Sequence, residues 1–322
     1  MTLYLKYRPQ TIDELDNTSV RLALTNILKS GQIPHAILFS GPRGTGKTSS
    51  ARILAKAINC ESKKAPCNKC AQCLSITNGT NIDVIEMDAA SNRGIDDIRT
   101  LRDSVKLAPA KAKAKIYIID EAHMLTTEAS NALLKTLEEP PAHVYFLMAT
   151  TNPEKLIETI KSRTTQINFT KATAEEIARS LKRVVDGEKL KVSDEELKKI
   201  AKLSKGSFRD AVKNLERHSN DENFLKSSSS FDVNKFVELL TAKDLSGSLK
   251  EIENALKNGV NAEDITTNTL EVLHEELLTL KRNELITLIE VILDSQKYNK
   301  VSPIEELPLQ LAVVKWCNES NG

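Results

Sequence analysis

The feature that most restricts the fold is the octapeptide Gly41-Pro42-Arg43-Gly44-Thr45-Gly46-Lys47-Thr48, set between two segments of different periodicity. Ahead of it, Ala36-Ile37-Leu38-Phe39-Ser40 is a short apolar run of strand length. Behind it, residues 47–59 carry apolar side chains at helical spacing. Strand, glycine loop and helix together are the context a phosphate-binding loop needs. The glycines let the backbone curl so that successive N–H groups face phosphate oxygens, and the helix N-terminus adds partial positive charge. In that reading residues 41–46 and Ser49 surround the phosphates of ATP. Lys47 reaches the β- and γ-phosphates, and Thr48 offers a hydroxyl to Mg²⁺. A chance glycine turn is the alternative, and the flanking segments weigh against it.

Further apolar runs at 83–88, 115–120, 144–150 and 166–169 read as strands. Between them, residues 96–105 and 127–139 read as helices, the first opened by Ser91-Asn92-Arg93-Gly94 and the second stopped by Pro140-Pro141. Strands alternating with helices imply a parallel sheet covered on both faces. Beyond Thr170 the pattern changes to amphipathic helices over 173–186, 193–204 and 207–218. Ser193 and Glu196 are spaced as a capping box. The polar, serine-rich stretch 219–230 reads as a linker, and 231–317 as four or five helices. The expected architecture is therefore α/β plus all-α. Its parts are an α/β domain over 1–170, a three-helix lid over 171–222 and a helical domain over 231–322.

Composition narrows the function classes. The net charge is +1, so any nucleic acid must be met by a local patch or an assembly, not by a basic field. Aromatics are 4% of residues, too few for binding single strands on stacked aromatic platforms. No apolar stretch reaches the ~18 residues of a membrane span. The N-terminal MTLYLKYRPQ has no apolar signal core, which gives a cytoplasmic expectation.

Two further constellations carry chemistry. Ile118-Ile119-Asp120-Glu121 ends an apolar run about 70 residues after the glycine loop. An aspartate there can hold Mg²⁺, and the adjacent glutamate can act as general base on water. Two acids in a solvated turn are the bland reading of the pair alone. Cys60, Cys67, Cys70 and Cys73 are four of the five cysteines in the chain. Their clustering in a cytosolic protein suits a structural Zn²⁺ held by four thiolates, with no coordination position left open. Free or redox-active thiols are the alternative. Cys317, beside Trp316, reads as a packed thiol.

Taken together the chain resembles the gamma/tau family of bacterial DNA polymerase III clamp-loader ATPases, within the AAA+ superfamily. The resemblance is carried by residues 4–9 (YLKYRP), 35–41 (HAILFSG), the four cysteines, 88–91 (DAAS), 120–125 (DEAHML), 131–140 (NALLKTLEEP) and 149–152 (ATTN). It implies a sensor-1 role for Thr151 and a sensor-2 role for Arg209. It implies that Arg163 acts in trans as a finger on a neighbouring subunit's ATP. Tyr7, Arg8 and Pro9 are implied to lie near the adenine. Two departures stand out: Thr164 replaces a cysteine after Arg163, and Leu15-Asp16-Asn17-Thr18 replaces a Val-Gly-Gln segment on the adenine side.

The resemblance further implies an ATP-driven motor that opens a sliding clamp and loads it on primed DNA. Its partners would be delta, delta-prime, further copies of itself and the beta clamp. The final helices would form an oligomerisation collar. Arg93, at a helix start, would contact a DNA phosphate. The chain ends at Gly322, like the short form of the family. A delta-prime-like stator is the second reading, disfavoured by the intact Lys47 and Thr48. An archaeal-type clamp-loader subunit and a branch-migration helicase both lack the four cysteines.

Overall fold

The computed structural model describes residues 2–91, 95–221, 224–225, 231–280, 283–299 and 301–318. It separates into two compact units, Met1–Ser219 and Asn220–Gly322. The first is built on a five-stranded sheet: β1 (Ala36–Ser40), β2 (Val84–Asp88), β3 (Lys115–Asp120), β4 (Val144–Thr150) and β5 (Thr165–Asn168). The order is β2-β3-β4-β1-β5, and every pairing is parallel. Strands buried on both faces read as continuous apolar runs, and β1 has all five residues buried. At the edge strand β5 only Ile167 is buried. That strand sits one residue earlier than expected, and the Phe169 N–H closes the ladder by donating to the Ser40 carbonyl at 2.7 Å.

Alternation along the strands sorts side chains onto two faces. Leu38, Tyr117, Ile119, Phe146 and Met148 pack under α5 (Ile95–Val105) and α6 (Thr127–Glu138). Ile37, Phe39, Ile116, Ile118 and Leu147 pack under α2 (Thr18–Ser30) and α3 (Lys47–Asn59). Two short helices complete this part: α1 (Leu3–Lys6) and α4 (Ala71–Thr77), the latter in the cysteine segment. Helix α2 had no counterpart in the sequence expectations. Asn17 caps it by accepting from the Val20 N–H, and Gly31 ends it in the left-handed conformation.

After a single-turn helix α7 (Glu158–Lys161), three helices follow the sheet: α8 (Ala174–Glu188), α9 (Asp194–Leu203) and α10 (Phe208–Asn220). The Ser193/Glu196 capping box is present, and Thr173/Glu176 forms a second. Each satisfies two orphan N–H groups at a helix start. The helices attach to the glycine loop directly, since the Phe208 N–H donates to the Gly44 carbonyl at 3.0 Å.

The second unit contains five helices among the described residues: α11 (Val233–Thr241), α12 (Leu245–Lys257), α13 (Ala262–Leu280), α14 (Asn283–Gln296) and α15 (Leu307–Asn318). Phe236, Ile252, Leu273, Leu288, Leu309 and Trp316 form its core. The indole of Trp316 donates to the Leu240 carbonyl at 2.6 Å, and Cys317 packs against the same core. No helix among the described residues is long and apolar enough to cross a membrane.

Candidate functional site

The strand register brings three chain segments to one end of the sheet. Ser40 pairs with Thr150 and Asp88 with Asp120, so the loops after β1, β3 and β4 meet there. Crevices outside the carboxyl ends of parallel strands are where such sheets bind ligands. A cavity of about 620 Å³ lies there. Its wall includes Arg43, Gly44, Thr45, Gly46, Lys47, Thr48 and Ser49, with Asp120, Glu121 and Thr151.

The glycine loop is a close fit that side chains would spoil. Gly41, Gly44 and Gly46 have φ of 139°, 78° and 104°. A Cβ on Gly41 would stand 2.1 Å from the Phe169 carbonyl oxygen, and one on Gly44 2.0 Å from Ser207 Oγ. Lys47 is 6% exposed. Its ammonium donates to the carbonyls of Gly41 and Pro42 at 2.7 and 2.8 Å. Burial pulls its pKa down, against the opposing attraction of Glu121 and Asp120. The Thr48 hydroxyl donates to Asp120 Oδ2 at 2.7 Å. An ammonium lodged on loop carbonyls and a hydroxyl–carboxylate pair beside it are groups that can meet the phosphates and the Mg²⁺ of a nucleoside triphosphate.

Glu121 adopts a left-handed backbone with φ of 47°, an uncommon state for a residue with a side chain. That turn swings its carboxylate toward β4. There Oε2 accepts from the Thr151 N–H at 3.2 Å and the Thr151 hydroxyl at 2.9 Å. His123 Nδ1 stands 3.4 Å from the same oxygen and 3.0 Å from Thr150 Oγ1. The acid, the strand-end threonine and the glycine loop thus form one connected set.

Tyr7, Arg8 and Pro9 also line the cavity, as does Arg209 from α10. The Arg209 guanidinium lies 5.7 Å from the centre of the Tyr4 ring, within cation–π range. Asp16 and Asn17, from the departed segment, are also in the wall. Asp16 is clasped by Arg183 of α8, with Nη1 to Oδ1 at 2.9 Å. The segment therefore fixes α8 against the wall through a charge pair absent from the expectations. Tyr4, Asp16 and His123 lie in segments the resemblance marked but carried no role of their own there; Phe208 and Val212 of α10 are wall residues that no motif marked. Chain crossings between α8, α10 and the N-terminal segment place them, and neither has a local signature.

One expected residue lies elsewhere. Arg163 does not line this cavity. Its Nε donates to Glu138 at 2.8 Å and its Nη1 to the Thr159 carbonyl at 2.9 Å, with Nη2 also on Glu138. Arg93 lies outside the described residues.

The four cysteines meet at the far end of α3. Their sulfurs all lie within 4.8 Å of one another, close to the ~3.8 Å edge implied by ~2.3 Å Zn–S bonds. Backbone N–H groups of Cys67, Cys70 and Cys73 point at the preceding cysteine's sulfur at 3.4, 3.4 and 3.5 Å. Such donors suit thiolates. The N–H groups of Lys69 and Cys70 pull the Cys67 thiol down to about 6, while burial pushes Cys73 up to about 12. Four convergent sulfurs, two of them buried, fit a metal ion.

The family model described as DNA polymerase III, delta subunit, matches residues 17–173. The tau subunit of DNA polymerase III from Bacillus subtilis is 39% identical over 321 residues, 96% of this chain and 57% of that protein. The Escherichia coli tau subunit is 47% identical over 210 residues, 64% of this chain and 33% of that protein. The gamma/tau subunit of Mycoplasma genitalium is 42% identical over 273 residues, 80% of this chain and 46% of that protein. The chain thus spans only part of the length of these relatives. Among solved structures, a variant of Thermotoga maritima RuvB aligns over 73% of this chain and 79% of its own, with a TM-score of 0.51 and 18% identity; that likeness concerns the fold. Relatives matched across most of the chain and a parallel sheet of this order together place it: the chain belongs to the gamma/tau family of DNA polymerase III subunits.

Proposed function

We propose that the chain is the ATP-hydrolysing motor subunit of a bacterial replicative clamp loader. The observation that carries this reading is the convergence of Lys47, Thr48, Asp120, Glu121 and Thr151 on one cavity. Lys47 would exchange its two carbonyl acceptors for β- and γ-phosphate oxygens. Thr48 and Asp120 would hold Mg²⁺, which supplies charge neutralisation at the phosphates. Glu121 accepts the proton of the attacking water, and Thr151 orients that carboxylate. Arg209 reaches the phosphates from the lid, and Tyr7, Arg8 and Pro9 enclose the base.

Arg163, turned away from its own cavity, serves a neighbouring copy, where an arginine stabilises phosphoryl-transfer charge. Glu138 then releases it on assembly. The three parts 1–170, 171–222 and 231–322 act as motor, lid and collar. The cysteines hold a structural Zn²⁺. Delta, delta-prime, the beta clamp and primed DNA are the partners, with Arg93 on the DNA backbone, and the complex works in the cytoplasm.

The stator reading is not favoured, because the curated relatives are named tau or gamma/tau. The test is Glu121→Gln in the assembled complex. Nucleotide affinity should hold while DNA-stimulated turnover falls about 10²-fold or more, as loss of a general base does. Turnover at the wild-type rate would refute the assignment of Glu121. No nucleotide binding by the wild-type chain would refute the motor reading itself.

A further inference from the structure

Lys56 is a lysine with no place in the ATP site, yet it is 1% exposed. It lies on α3, nine residues beyond Lys47, or about 14 Å along the axis at ~1.5 Å per residue. A buried ammonium must find acceptors for its three N–H groups. Here all are neutral oxygens from outside the helix. The ammonium donates to the Gln10 carbonyl at 2.9 Å, to Gln10 Oε1 at 2.7 Å and to Asn68 Oδ1 at 2.8 Å.

The two residues that supply these acceptors belong to different working parts. Gln10 directly follows the cavity wall at Arg8 and Pro9, and its side-chain amide donates back to the Arg8 carbonyl at 3.1 Å. Asn68 lies between Cys67 and Cys70 and adopts a left-handed φ of 55°. Its own amide donates to the Gln10 carbonyl at 3.3 Å. The cysteine segment, the phosphate-loop helix and the adenine-side wall are therefore joined at one buried point.

We propose that Lys56, Gln10 and Asn68 are a positioning network through which metal binding at the four cysteines sets the adenine-side wall for nucleotide. This rests on the reading that the cysteines bind a metal. A short cysteine segment owes its order to the ion it binds, so Asn68 keeps its place only while the metal is held. Without it Lys56 loses an acceptor in a dry site. Gln10, which shares the same hydrogen bonds, then relaxes and carries Arg8 and Pro9 with it. Coupling of this kind is reciprocal, so nucleotide also tightens the metal.

The test is a titration of the full chain with a fluorescent ADP analogue at constant Mg²⁺, before and after a zinc-selective chelator. Zinc is counted by metal analysis, and folding is followed by far-UV circular dichroism. Wild type should hold about one zinc per chain. Stripping should raise the nucleotide Kd roughly tenfold, within the usual range of coupling, and added zinc should restore it. Asn68→Gly removes the acceptor while tolerating the left-handed backbone. It should keep its zinc, bind nucleotide with a Kd near that of the stripped protein, and respond to stripping by less than about twofold. A wild-type Kd that ignores stripping overturns the proposal. So does Asn68→Gly binding nucleotide like wild type with zinc in place, a result readable even if the stripped chain unfolds. A chain that binds nucleotide but no zinc removes the metal reading and this proposal with it, and leaves the ATP site standing.

Discussion

At the carboxyl end of the sheet, Asp120 accepts from the Thr48 hydroxyl and from the Glu121 N–H, and it remains part of a cavity wall. At the amino end, Asp83 immediately precedes β2, is 2% exposed, and accepts from the N–H groups of Ala110, Lys111 and Ala112 at 2.7, 2.8 and 2.8 Å. The nearby Asn59 amide is likewise consumed by both backbone groups of Ala114. Helix α3 runs between these two ends, from Lys47 to Asn59. At one end, polar groups satisfy each other through contacts that a ligand can replace. At the other, they are spent on backbone that nothing replaces. The same residue types make a site or a clamp according to whether their partners are exchangeable.

The largest effect that would test this division is Lys47→Met. Loss of the ammonium should cut hydrolysis in the assembled complex by about 10³-fold, the order found when one charge-stabilising donor is removed. Stability should not fall. The lysine is buried and its pKa is lowered by that burial, so an apolar chain of similar length relieves a desolvation cost. Thermal melting no lower than wild type checks this. A marked loss of stability would mean that Lys47 is structural and that the two ends do not differ as described.

Asp83→Asn should do the opposite. An amide presents N–H to donors that need an acceptor, which costs about 3 kcal/mol for charge-assisted bonds in a buried site. For a unit of this size that lowers Tm by roughly 6–12 °C, with nucleotide affinity unchanged. The pH dependence sharpens the claim. Burial acts to raise the Asp83 pKa, but the three N–H donors and Lys115 hold it below the ordinary value. A depressed carboxyl contributes stability that is fully present above its unfolded pKa, about 3.9, and is lost as pH falls through the folded value. The deficit of Asp83→Asn should therefore stay constant from pH 8 to 5 and shrink below about pH 4. A deficit that shrinks already at pH 6 would assign the effect to another group.

The two ends also differ in how far the sequence disclosed them. The strands at 36–40, 115–120 and 144–150 fall where continuous apolar runs placed them, because burial on both faces leaves no alternation to misread. Local backbone chemistry was equally legible: the glycine loop, the strand-end acids and the cysteine spacing each need only their neighbours in the chain. Lys56 was not legible. It reads as a polar position on an amphipathic helix, and only Gln10, 46 residues earlier, and Asn68, 12 later, make it a buried one. Asp16 and Arg183 are 167 residues apart and were hidden for the same reason. Helix α2 is set by Asn17 as cap and by Val20 and Leu24 under the sheet, a pattern too sparse to separate from loop. What the chain conceals is chiefly the pairing of polar groups across the tertiary structure.

The smallest effect tests whether the wall formed by Tyr7, Arg8 and Pro9 is as exchangeable as the glycine loop. Gly187 lies in the last turn of α8, where alanine would favour the helix by up to about 1 kcal/mol. Its Cβ, however, would stand 2.2 Å from the Tyr7 hydroxyl and 2.8 Å from the ring. The ring belongs to a short segment anchored by Lys6 on Glu188, so it can retreat without unfolding anything. Gly187→Ala should therefore leave Tm within about 2 °C, since helix gain and displacement roughly cancel. Nucleotide affinity should weaken about threefold, some 0.6 kcal/mol, because the retreating ring drags Arg8 and Pro9 from the cavity wall. Equal affinity in a titration with labelled ADP would show that Tyr7 braces the lid without shaping the base pocket. A loss beyond about thirtyfold, near 2 kcal/mol, would show that this wall is rigid and belongs with Asp83 on the clamped side of the division.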